Sequence, residues 1–223
     1  MATTSATTIR TTNRSGRLLR VSTSFTPLHD HARFSDVHAA PFGDQDGVRV
    51  WRTPDNDGIG LIVVDQPPDL PRADSRAAFD EAYRGLFTDP RLKLMELEHA
   101  AVDGVPAVRS IVATPQPSGG ILFIGSLTIP FEAFAFVFKV QCEERGLKGV
   151  RERTVLDRQI AAGLASEGEG GITGEFEPYD AKYDADFPIH PLTRARHWLP
   201  RIAKHTLLDK AAKREPAFGL PIS

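Results

Sequence analysis

The stretch AFAFVFKVQC, residues 133–142, alternates with period two: Phe134, Phe136, Phe138, Val140 and Cys142 point one way, and Ala135, Val137, Lys139 and Gln141 the other. Successive side chains of a strand leave on opposite faces, so this pattern predicts a strand that turns an aromatic face into a core. Upstream lie LKLMELEHAAV (92–102), VPAVRSIVA (105–113) and ILFIGSLTI (121–129), all of strand length, the last two rich in β-branched residues. Asp103-Gly104 supplies one reversal, TPQPSGG (114–120) a second, and Pro130 interrupts the third connection. Strands joined by short turns pair with their sequence neighbours, so 92–142 reads as a four-stranded antiparallel meander.

Outward from the meander, VRVWR (48–52) and IGLIVV (59–64) flank TPDNDG (53–58), whose Asn and Asp-Gly suit a hairpin reversal. The prolines of DQPPDLP (65–71) then stop the sheet. Asp74 or Ser75 caps a predicted helix over 75–88, with Ala78, Phe79, Ala82, Tyr83 and Leu86 at helical spacing and Pro90 ending it. Leu156, Ile160 and Leu164 mark a second helix at 151–164. In a third, at 192–207, Ala195, Trp198, Leu199 and Ile202 form the apolar stripe, Arg194, Arg201 and Lys204 lie off it, and Pro200 kinks or shortens it. The third helix is expected to dock by that stripe and to keep its cations outward. Leu19, Val21 and Phe25 alternate with Arg20, Ser22 and Ser24 as a half-buried strand. Residues 26–46, with Pro27, Pro41 and Gly43, read as irregular, and EPAFGLPIS (215–223) reads as a frayed end.

The organisation predicted is an α+β protein: a Thr/Ser-rich disordered tail at 1–16, a sandwich domain at 17–165, a Gly/Glu-rich linker at 166–190 and a basic amphipathic C-terminal helix at 191–213. The tail has only Ile9 as a bulky apolar residue and cannot offset the entropy of ordering. With 223 residues, 41% hydrophobic and 25% charged, the chain has the composition of a globular protein. Its single cysteine excludes an intrachain disulfide and a multi-cysteine metal site. Apolar runs are strand-sized, no transmembrane segment or secretory leader is read, and a cytoplasmic setting is expected. Arg, Ala and Asp far outnumber Lys, Ile and Asn, the bias of a GC-rich bacterial genome. The net charge of -2 is uneven: residues 1–20 hold four arginines and no acid, residues 194–223 hold seven cations and two acids, and the body between them is acidic. Such a body opposes specific nucleic-acid binding as the main task.

The element order resembles the PsbP-like α/β/α sandwich proteins. The residues that carry the resemblance are the VRVWR…IGLIVVD hairpin (48–65), FDEAYRGL (79–86), MELEHAAVDGVPAVRSIVA (95–113), ILFIGSLTIP…FAFVFKVQC (121–142) and RTVLDRQIAAGL (153–164). It covers residues 17–165 and implies an antiparallel meander sheet packed between helices, with the C-terminal helix as an addition. It also implies a binding or accessory module without a shared active site.

No catalytic, cofactor-binding or metal-binding motif is read, and no cofactor is expected. His29, Asp30, His31 and His38 offer imidazole and carboxylate, but their spacing fits no zinc pattern. Cys142 beside His99 has the residue types of a nucleophile pair, yet its aromatic face predicts core packing. Glu96, Glu98 and Glu132 offer carboxylates for acid–base work, a pattern that an exposed sheet face also shows. GEGGITG (168–174) has no following Lys-Ser/Thr, and Ser126 lacks the glycines of a nucleophile elbow. The expectation is a non-enzymatic protein-interaction or accessory module with another protein as partner, bound through Trp51, Arg194, Arg201 and Lys204. Trp51 has a second reading, burial beneath the third helix. The alternative function is a small-ligand-binding protein or hydrolase whose pocket lies between the sheet and the helix at 75–88, lined by Phe134, Phe136 and Phe138.

Overall fold

In the computed structural model, residues 11–12, 18–19, 28–45, 48–117 and 119–221 are described. Most of the Thr/Ser-rich stretch at 1–16 lies outside them, as do Val21 and Phe25; β1 (Thr11–Thr12) pairs with β2 (Leu18–Leu19). The main sheet is formed by β4 (Ala40–Gln45), β5 (Val48–Arg52), β6 (Gly58–Val64), β7 (Lys93–Val102), β8 (Val105–Pro115), β9 (Ile121–Pro130) and β10 (Ala135–Glu143). Its order is β4-β5-β6-β10-β9-β8-β7, every pair antiparallel. The hairpin and the meander join where β10 lies between β6 and β9, with Phe138 opposite Leu61 on one side and Leu127 on the other. The aromatic face of β10 is buried from Phe134 to Cys142. At the hairpin tip Asn56 takes φ 60°, a left-handed conformation that asparagine tolerates.

Helices cover both faces. α3 (Pro191–His205) lies across β9 and β10 and buries Leu192, Ala195, Trp198, Leu199 and Ile202. α1 (Arg76–Gly85) starts at Ser75, whose Oγ accepts the Ala78 N–H at 3.2 Å, and buries Phe79 and Tyr83 against the opposite face with Val108. α2 (Val150–Ala161) stands beside the start of α3. There its buried Arg151 donates to the carbonyls of Pro178 and Asp180 and to Asp184 and Thr193. This is an α+β protein built on an antiparallel sheet.

Three segments differ from the sequence reading. The irregular stretch 26–46 contains two strands. β3 (Ala32–Phe34) pairs with β13 (Thr206–Leu208), and β4 adds an edge to the sheet with its register shifted between Pro41 and Gly43. Pro41 is tolerated there because an edge strand need not donate on both sides. Residues 165–174 form a hairpin of β11 (Ala165–Gly168) and β12 (Gly171–Gly174). The C-terminal segment expected to fray is packed instead: Phe218 and Leu220 are buried with Phe79, Tyr83 and Val108, an apolar gain that overrides the prolines and glycine around them.

Candidate functional site: an apolar groove between two loops

The loop after β10 and the loop before α3 face each other across a groove of about 640 Å³. Glu144 shapes the first loop: one oxygen accepts the Gly149 N–H at 2.6 Å and the other the Ile121 N–H at 3.2 Å. One carboxylate oxygen thus closes the β10–α2 corner and the other ties it to the start of β9. The tight corner leaves Leu147 85% exposed and Val150 46% exposed. On the opposite wall Ile189 is 78% exposed, beside Phe187, Pro188 and Pro191. Large aliphatic side chains this exposed are ordinary when scattered, but here they come from separate segments and share one concavity.

The groove floor meets a buried polar cluster. His190 caps α3 with Nδ1, which accepts the Leu192 N–H at 3.3 Å. That bond assigns the ring proton to Nε2. Nε2 faces Glu152, 3.9 Å from Oε1, and neither Nε2 nor Glu152 Oε2 has a direct hydrogen-bond partner among the described residues. Burial first, and then the charges of Arg151 and Arg194, hold the His190 imidazole at a pKa of about 3. Burial, followed by the Glu152 carboxylate, pushes the Tyr179 hydroxyl above its ordinary range. Glu144, Glu152 and His190 bring ligand-type atoms within 4.8 Å of one another. Coordination through Nε2 would move the ring proton onto Nδ1, against the Leu192 N–H that already donates there, so the trio does not fit a metal.

The residues singled out in the sequence are dispersed. Trp51 is buried, with its ring 5.2 Å from Phe34 and 6.4 Å from Phe138. Arg194 does not face outward: it is buried and binds Asp57 through two bonds, Nε–Oδ2 at 2.7 Å and Nη2–Oδ1 at 3.0 Å. Its direction follows from the fully buried Asp57, which needs a compensating charge. Arg201 is half-buried on Asp36 at 2.7 and 2.8 Å, and Lys204 is exposed. Asp30 pairs with Arg49, His31 with Asp209, and His38 is exposed, so these three groups do not converge, and the His29 side chain lies outside the described residues. Of the three glutamates, Glu96 and Glu98 stay together in a pocket of about 260 Å³, each neutralised by an arginine, Arg196 and Arg109, whereas Glu132 lies apart on Arg72. Cys142 is fully buried, and burial first, with the Asp57 carboxylate, raises its thiol pKa. Phe134, Phe136 and Phe138 fill the core, and the space under α1 is occupied by Phe79, Tyr83, Phe218 and Leu220. Sequence reasoning missed the groove; its signals were Leu147 alone between Gly146 and Gly149 and Ile189 between Pro188 and Pro191.

No protein-family model and no curated protein sequence matches the chain. Among solved structures it is similar to the Ran-binding protein Mog1p of Saccharomyces cerevisiae, with a TM-score of 0.41 and 10% identity over 93% of this chain and 98% of that one. It is also similar to the cyanobacterial PsbP (CyanoP) of Synechocystis sp. PCC 6803, with a TM-score of 0.33 and 13% identity over 77% of this chain and 95% of that one.

Proposed function

We propose that the chain is a non-enzymatic interaction module that seats an apolar segment of a protein partner in the groove between the β10–α2 loop and residues 186–191. The observation that carries this reading is the pairing of Leu147 and Ile189, 85% and 78% exposed, across one concavity. Exposed aliphatic side chains that line a shared groove lose water only when something covers them. Arg194 and Arg201 are engaged by the buried carboxylates of Asp57 and Asp36, which favours a partner surface away from these two cations of α3. With one cysteine the chain makes no intrachain disulfide, which supports a cytoplasmic setting. Among the described residues no helix is long and apolar enough to cross a membrane.

A photo-crosslinking residue placed at Ile189, with the exposed Leu207 as control position, tests the proposal in the producing cell. The expected result is a discrete protein adduct at 189 that Leu147→Glu abolishes. Adducts at 207 with none at 189 would move the partner surface elsewhere.

A further inference from the structure

The segment Pro216–Leu220 is bound to the domain as a peptide would be. The Glu132 N–H donates to the Pro216 carbonyl at 2.9 Å, Ala217 bridges Phe131, and the Phe218 N–H donates to the Pro130 carbonyl at 3.3 Å. This is strand addition at the end of β9, in which main-chain bonds hold an extended segment and alternate side chains enter pockets. Phe218 and Leu220, two residues apart, are both buried. The Arg72 guanidinium lies 4.4 Å from the Phe218 ring centre and is itself fixed by Glu132 at 2.7 Å. The cluster they complete, with Phe79, Tyr83 and Val108, is separate from the main core beneath α3. Few main-chain bonds and a detached apolar cluster mark a unit that opens locally without unfolding the sheet.

We propose that the cleft between α1 and the β7–β8 face is a binding site for an extended protein segment bearing an aromatic and an aliphatic side chain two residues apart. Phe218 and Leu220 of this chain occupy it as a tethered ligand. A partner segment of the same chemistry exchanges with the tether and takes over the place beneath Arg72. This site is independent of the groove lined by Leu147 and Ile189.

The test uses the full-length chain and a fluorescent peptide with the sequence of residues 215–223, EPAFGLPIS. Full-length Phe218→Ser/Leu220→Ser should bind the peptide at least tenfold more tightly than the wild type, because its own segment no longer competes. The peptide with the same two replacements should bind neither chain. Amide exchange over residues 76–85 should be faster in the variant and restored by the peptide, while β9 and β10 exchange as in the wild type. A variant that fails to bind the peptide, or one in which β9 and β10 lose protection and the peptide restores nothing, overturns the proposal. Should the variant not fold, a benzophenone at the Phe218 position of the peptide, photolysed with excess wild-type chain, decides the matter: adducts within residues 70–97 support the site, and scattered or absent adducts refute it. Leu147→Glu should leave every one of these readings unchanged, which keeps failure here distinct from failure of the groove.

Discussion

At the scale of single residues, Arg194 shows how a side chain that looks solvent-facing on a helical wheel becomes internal. Its guanidinium reaches Asp57, fixed at the hairpin tip, 137 positions earlier. Arg194→Leu leaves Asp57 buried with Arg145, at 3.3 Å, as its one remaining ion-pair partner among the described residues, so urea unfolding should show a loss of about 3 kcal/mol. Adding Asp57→Leu should recover most of that loss, since removing both charges lifts the desolvation penalty. His190 yields a second expectation. The folded chain keeps it neutral down to about pH 3, whereas its ordinary pKa is 6.5. Between those values the unfolded state binds more protons, so stability falls as pH drops below 6.5 and stays flat above it. At 1.36 kcal/mol per unit, the loss between pH 6.5 and 5 should be about 2 kcal/mol. His190→Asn retains an acceptor for the Leu192 N–H and deletes the titration, so its unfolding free energy should change little over that interval. Asp36 steepens the decline at lower pH. Burial favours its neutral form, yet the Arg201 and His38 hydrogen bonds and the nearby cations outweigh this and hold its pKa below 3.8. Neither Arg194–Asp57 nor the His190–Glu152 approach was legible in the sequence, because each joins segments whose proximity only the finished fold creates.

At the scale of elements, legibility followed the length of the pattern. β5, β6, the meander β7–β10 and the three helices each carry several periodic residues, and their periods identify them. β3 and β13 have three residues apiece and lie more than 170 positions apart, so nothing local distinguishes them from loop. β4 hides behind Pro41 and Gly43, residues that normally argue against a strand. The contact between α3 and the sheet, in contrast, depends on one small residue. At Gly125 a Cβ would stand 2.8 Å from Val140 Cγ1 and 3.1 Å from Leu199, so the helix rests where the strand has no side chain. Gly125→Ala should therefore cost about 1–3 kcal/mol by overpacking. Thermal melts should show it, although alanine is otherwise better than glycine in a strand. Trp198→Ala on the other side of the interface should cost about 3–5 kcal/mol by leaving a cavity.

At the scale of the whole molecule, α3 roofs the core, and its loss uncovers the aromatic face of β10. A chain ending at Glu177 lacks both α3 and β13, and it should melt well below the full-length protein and bind the dye ANS. Melting at the same temperature without dye binding would mean that α3 adds nothing to the fold. Under the same roof lies Cys142, the chain's single cysteine. A thiol reagent reaches it only through states in which the roof has lifted, so modification of the native protein should run at least about a thousandfold slower than that of free cysteine. The ratio of the two rates is then the fraction of molecules open at any instant. The protein thus carries its own stability gauge, readable in physiological buffer without urea or heat, and every substitution above can be ranked by how fast one sulfur reacts.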